Sequence, residues 1–401
     1  MSNQVRIETV RLAADARRPQ PLPVLRLGFR PFYWCAALFA AVAVPLWVGR
    51  YLGGPVPAPR AFPEYFWHAH EMVFGFALAV VVGFLFTAVR NWTGVDTPTG
   101  SHLAELVLLW AIARVLAWTG PLLPAALASV GFIVCAAAAL GRVLYRARNR
   151  RNYFVAALLL AFALLDALFF AAAGGTLPLP PLVPIRLAIL LLVFLVTVIG
   201  GRVIPMFTQN ATGVPIARSA VLDRAAPGLL LAAIAGQALV LPPAVEAGLC
   251  FAAAAVHGVR LLSWRPWLAR SRPILWVLHL AYAWIPLGLF LLGLAQLGRF
   301  PPILALHALT VGAMGGMIAG MITRTALGHT GRPLQAGYAG TVFYVLMLLA
   351  ALVRVLGSAL FPAGHALWLA LSAVCWCSAF AVYLIAYTPV LWRPRADGLP
   401  G

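Results

Sequence analysis

Apolar positions in this chain come in long runs and polar ones in short bursts. Breaking it at its Pro, Gly and Arg clusters leaves twelve apolar stretches, at about 28–50, 65–89, 102–119, 123–145, 152–174, 181–205, 219–241, 244–263, 273–297, 301–325, 337–359 and 365–391. Each is near the roughly 20 residues that a helix needs to cross a bilayer core. The least marked breaks are Leu241-Pro242-Pro243 and the turn from Gly120 to Pro124. The pattern predicts an all-α, polytopic membrane helical bundle of about twelve transmembrane helices. With no linker long enough to separate soluble domains, it reads as a single bundle over 28–391, between an Arg-rich segment at 1–27 and a short tail at 392–401.

Composition agrees with that pattern: 63% apolar residues, 10% charged and a mean hydropathy of +0.93 do not suit a water-soluble globule. The net charge of +19 would suit nucleic-acid binding, but its arginines fall between the apolar runs. Arg142, Arg146, Arg148, Arg150 and Arg151 share one connection, Arg218 and Arg224 another, and Arg260, Arg265, Arg270 and Arg272 a third. The alternate connections hold only Arg50, Arg60, Arg186, Arg299 and Arg354. Such asymmetry is the positive-inside signature, and it predicts cytoplasmic N- and C-termini. Recognition modules for nucleic acid are missing, so no nucleic-acid partner is expected. The first thirty residues lack the apolar core of a cleavable signal peptide. All five cysteines lie in apolar stretches and read as small buried hydrophobes.

Chemistry then rests on the polar residues inside the runs. On this topology His68, His70, His307 and His365 lie near the outer face, and His102, His257, His279 and His329 near the inner one. Neutral imidazole ligates haem iron and copper, so two layers on facing helices suit cofactor binding. His102 and His365, at span starts, read better as caps, and His257, on a stripe with Cys250 and Trp264, as structural. A wheel at about 100° per residue puts His307, Thr310, Met314, Met317, Met321 and Arg324 on one stripe, opposite Gly312, Gly315, Gly316 and Gly320. Methionines offer soft contacts, and the glycines permit close approach of a helix or a flat ligand. On the second span His68 and His70 project about 200° apart. His68 is expected to face the bundle, with His70 on a second cofactor, paired with Glu71, or turned by an irregular first turn. His279 is followed one turn later by Tyr282. Arg202, Arg324 and Arg332, each near glycine at the inner ends of spans, could form an anion-binding layer, since arginine forks match carboxylates. Mid-span Arg114 predicts a buried acid or haem partner.

Motifs along nearly the whole chain resemble those of the NnrS proteins. They are Gly28-Phe-Arg-Pro-Phe32, Trp67-His-Ala-His-Glu-Met72 with Gly75-Phe76, Asn91-Trp-Thr-Gly94, Gly200-Gly-Arg-Val-Ile-Pro-Met-Phe-Thr208, Trp276-Val-Leu-His-Leu-Ala-Tyr282, and His307-Ala-Leu-Thr-Val-Gly-Ala-Met-Gly-Gly316 on to Gly328-His-Thr-Gly-Arg-Pro333. The resemblance implies a multi-pass protein of the bacterial inner membrane that holds haem and copper and protects against nitric oxide. It leaves open which histidine serves which metal. Candidate metal ligands are His68, His70, His279, His307 and His329, with Met314, Met317 and Met321, for haem b and copper. Arg202, Arg324 and Arg332 are candidates for the cofactor's anionic groups.

A proton-pumping oxidase is not expected, because adjacent His-His and His-Pro-Glu runs are missing and intramembrane acids are few. Phosphate-binding loops and hydrolase elbows are also missing. Three readings stand: a redox enzyme acting on nitric oxide at a His-ligated metal, a transporter or supplier of copper or another metal species along the methionine stripe, and a haem-loaded scavenger or sensor without turnover. The bilayer and nitric oxide are the expected partners, and no sequence feature names an electron donor.

Overall fold

The computed structural model describes residues 21–399, and the remainder of the expected N-terminal segment, 1–20, lies outside them. Among the described residues the fold is all-helical, with twelve main helices and no strands. They are α1 (Phe29–Tyr51), α2 (Glu64–Thr93), α3 (Gly100–Thr119), α4 (Leu122–Arg146), α5 (Tyr153–Ala173), α6 (Leu182–Thr212), α7 (Ala220–Ala238), α8 (Pro243–Ser263), α9 (Pro273–Gln296), α10 (Pro302–His329), α11 (Gly337–Leu360) and α12 (His365–Trp392). Eleven are long and apolar enough to cross a membrane. The exception is α7, which carries Asp223, Arg224 and Pro227 within its first turns yet packs in the same bundle against α6 and α8.

Local chemistry sets the ends. Gly94 and Gly213 terminate α2 and α6 in the left-handed conformation, φ 67° and 72°, and their N–H groups bond back to Arg90 and Gln209 carbonyls. Ser219 opens α7 by accepting the Leu222 N–H at 3.3 Å. Sequential neighbours pair as α3–α4–α5, α7–α8–α9 and α11–α12, and α12 closes against α1. Arg30, buried in the first turn of α1, donates to the Leu391 and Arg393 carbonyls at 3.0 and 2.8 Å. The start of α1 and the end of α12 therefore sit at one face.

The interior helices α2 and α10 are widened. Residues Glu71–Ala77, Ala308–Gly315 and, in α11, Val353–Gly357 form π-helical turns. Such turns close on the fifth residue and leave a backbone carbonyl in need of a partner. In α2 the indole N–H of Trp110 donates to the Gly75 carbonyl at 2.9 Å. Glycines let neighbours close on these segments: a Cβ at Gly75 would strike Arg114 and Phe39, and one at Gly312 would strike the Trp284 ring. One extra residue in a turn rotates the rest of the helix by about 100°. The uniform wheel therefore fails across α10: Met314, Met317 and Met321 stay on one stripe, but His307 leaves it.

Gly312→Leu should destabilise the protein by about 1–3 kcal/mol through overpacking against Trp284. Gly131→Leu, at a position whose Cβ meets nothing within 4 Å, should change stability by less than about 0.5 kcal/mol. Thermal unfolding in detergent distinguishes the two, and equal effects would contradict the close packing of α10 on α9.

Candidate functional site

Three groups of polar residues lie inside the bundle. The first runs between α3, α2 and α5. Arg114 donates to Glu71 Oε1 at 2.7 Å and to Ser129 Oγ at 3.0 Å. The same Glu71 oxygen lies 2.8 Å from His70 Nδ1, while His70 Nε2 lies 2.7 Å from Asp166 Oδ1. His70, Glu71 and Asp166 are fully enclosed, and Phe62, Phe74, Phe169 and Phe170 wall the imidazole. Arg114 thus finds the buried acid that its mid-span position required. Of the three alternatives for His70, the structure shows the pairing with Glu71. Both its ring nitrogens face carboxylates, and its side chain points away from His68.

The second group lies at the face reached by the ends of α1 and α12 remote from the chain termini. His68 stacks on Trp47 with centroids 4.0 Å apart, Trp47 stacks on Tyr51, and Tyr51 meets His365 edge-on. His68 Nδ1 is enclosed and has no hydrogen-bond partner. His307 Nδ1 donates to the Ile303 carbonyl at 2.7 Å, which leaves Nε2 as the ring's lone-pair nitrogen. Arg354, on the widened turn of α11 and only 5% exposed, lies within electrostatic reach of both imidazoles.

The third is a cavity of about 460 Å³ toward the opposite face. It is lined from α2 by Thr87 and Asn91, from α6 by Arg202 and Met206, and from α10 by Arg324 and His329. Among the described residues no carboxylate lines it. Arg324 lies over the Phe207 ring at 3.6 Å and Arg202 near Phe154 at 5.8 Å, contacts that hold each guanidinium by its flat face. Phe84, Ile199, Val203 and Met321 are shared with a narrower apolar crevice that continues past Met317 and Met314 to Tyr33. Beside the cavity the chain's tail is fastened to the loop after α10. Arg395 donates to the His329 carbonyl at 3.1 Å and clasps Asp397, holding that carboxyl down to about 2. The clasp is therefore complete above the ordinary carboxyl value and is lost only as pH falls through about 2.

The remaining candidates fall elsewhere. His279 Nε2 meets Thr208 Oγ1 at 2.9 Å, away from the cavity, and Arg332 donates to the Thr330 carbonyl at 3.3 Å. His257 bonds the Tyr282 hydroxyl at 2.9 Å. There Arg260 also reaches that hydroxyl, the Thr197 carbonyl and Asp223, tying α6, α7, α8 and α9 in a second polar knot. His102 is exposed at the start of α3, 3.6 Å from Glu105. Among the described residues no three His, Cys, Asp or Glu side chains gather into a metal-holding group. The two histidine layers are instead distributed over separate places. Sequence reasoning overlooked Arg354, grouping it with the connections, and the Arg260–Asp223 pair; an arginine several residues inside an apolar run was the available signal for Arg354.

A polytopic membrane bundle, with charged chains braced inside it and imidazoles near both faces, is the class this architecture defines. The chain belongs to the NnrS family: the family model described as NnrS protein matches residues 23–395. No curated protein matches it.

Replacing Arg114 by Met leaves Glu71 short of a cation inside the bundle and should cost about 3–5 kcal/mol. Arg114→Met with Glu71→Met removes both charges and should recover part of that loss, the remainder being the buried His70 Nδ1 left without its partner. Melting temperatures of the three proteins check this, and a double variant as unstable as the sum of the singles would contradict it.

Proposed function

We propose that this protein acts in nitric oxide metabolism and resistance to nitrosative stress in the bacterial inner membrane, using haem b and copper. The observation that carries the proposal is the cavity itself: two arginines and an imidazole, without a carboxylate among the described residues, at the mouth of a methionine-lined apolar crevice. A flat apolar macrocycle with two acidic arms suits that lining. Arg202 and Arg324 would hold its propionates by charge-assisted hydrogen bonds. His329 would offer the nearest imidazole, and Met314, Met317 and Met321 would pack against the ring. Haem supplies redox chemistry and an affinity for nitric oxide when bound.

Copper fits the other face. His68 Nδ1 lacks a partner, and His307 keeps its lone pair on Nε2 because Nδ1 is committed to Ile303. These two nitrogens would serve as donors, and Trp47 would fix the plane of His68. His70 is better suited to bracing than to ligation, since both its nitrogens are engaged by acids. Nitric oxide, small and apolar, reaches either site through lipid. The methionine lining supports a second reading, in which the crevice passes copper or another metal species.

Haem content per protein separates these readings. The purified wild type should carry haem b, and Arg202→Gln with Arg324→Gln should weaken haem retention by about tenfold or more, the loss expected for two charge-assisted hydrogen bonds. Wild-type protein that folds and binds no haem would remove the first reading. Full haem in the double variant would remove the cavity as its site.

A further inference from the structure

Arg354 is the only intramembrane arginine of the three polar groups that has neither a carboxylate nor an aromatic face set against it among the described residues. Its Nε has no hydrogen-bond partner, and Nη1 reaches only the Ser358 hydroxyl, at 3.4 Å. The acids of the described residues are committed elsewhere: Glu64 to Arg50, Glu71 to Arg114, Asp166 to His70, and Asp223 to Arg218 and Arg260. Asp96, Glu105 and Asp397 are bound to partners of their own, and Glu246 faces Arg186 and Gln296. A buried guanidinium without a counter-charge is costly, and in lipid an arginine faces the interior because something there pairs with it. Among the described residues no carboxylate is set against it.

Position adds a direction. The π turn Val353–Gly357 swings Arg354 inward, toward the side where His68 keeps an unpartnered nitrogen and His307 an open Nε2. Ser358, one turn on, adds a hydroxyl that is only loosely engaged. The guanidinium and the Ser358 hydroxyl, whose oxygen accepts from Nη1 and whose proton is free, make a set of donors for a planar anion of one charge. Trp47, Tyr51 and His365 close the site from α1 and α12.

We infer that Arg354, with Ser358, forms a binding site for a small monovalent oxyanion beside His68 and His307. The site stands apart from the haem cavity and requires no metal. It supplies the charge that the bundle lacks at this face, and it holds the anion beside the two imidazoles proposed above as copper donors.

Nitrite is a suitable probe, titrated by calorimetry into the purified full chain in a buffer of large, poorly fitting anions, with and without added copper. The wild type should bind one equivalent, and Arg354→Gln should weaken binding by about ten- to hundredfold, as loss of a charge-assisted hydrogen bond predicts. Arg354→Lys keeps the charge without the fork and should weaken it several-fold; this variant decides the matter if Arg354→Gln fails to fold. Arg50→Gln, the same charge change at the same face in an arginine already paired with Glu64, should leave nitrite affinity unchanged. Equal affinity in wild type and both Arg354 variants, or no binding by the wild type, would overturn the inference. Binding that appears only after a resident haem is extracted would also overturn it, assigning the guanidinium to a haem carboxylate instead. Metal-free protein that binds nitrite but never copper would sink the copper reading and leave the anion site standing.

Discussion

Four groups in a row, Arg114, Glu71, His70 and Asp166, hold the centre of this protein. None reaches water, so each survives only because its neighbour is of opposite kind. Their alternation requires a proton at each of the two imidazole contacts, since carboxylate oxygens only accept. The row joins α3, α2 and α5, and Ser129 adds α4. It therefore fixes the rotation of α2, the most enclosed helix. With His70 turned to Asp166, His68 must face the other way, onto Trp47 of α1 and toward Arg354 of α11. The position of one candidate ligand is thus set by the charge pairing of its neighbour.

Widened turns carry this constraint along the helices. In α2 the π segment begins at Glu71, the residue the row depends on, and the carbonyl it frees is taken by Trp110. In α10 the segment begins right after His307, and in α11 it contains Arg354 itself. Irregular turns of this kind recur at functional positions in helices. Here they re-aim side chains at the His68 face without disturbing the Met314–Met317–Met321 stripe that lines the crevice below.

Much of this was legible in the sequence, because a bilayer imposes lengths. The twelve apolar runs correspond to the twelve helices, and even the weak breaks at Pro242 and Gly120 separate real elements. The difference is α7, where Asp223 and Arg224 dilute an otherwise spanning helix. Arg114 announced a buried partner because an arginine in mid-span has few alternatives. Of the arginine layer Arg202, Arg324 and Arg332, the first two do line one cavity, joined there by His329 of the inner histidine layer, whereas Arg332 and His279 make contacts elsewhere. Rotation was the part that the sequence could not convey. A wheel assumes regular turns, and three π segments break that assumption, so His307, although placed in the outer layer with His68, was also put on the methionine stripe, and Arg354 was not set beside them. Pairings between distant helices, such as Arg260 with Asp223, have no local signature at all.

Two polar regions thus lie at two faces, separated by a braced interior: an arginine-lined cavity without a carboxylate among the described residues, which we propose for haem, and at the other face two imidazoles near a guanidinium that no described carboxylate balances. Their joint service in nitric oxide chemistry is the central claim. The most direct measurement is nitric oxide consumption by reduced, cofactor-loaded protein at an electrode, compared between wild type and His307→Ala. Sustained consumption by the wild type, abolished in the variant while its haem spectrum persists, is the predicted result. Unchanged consumption in His307→Ala, or none in a fully loaded wild type, would contradict it.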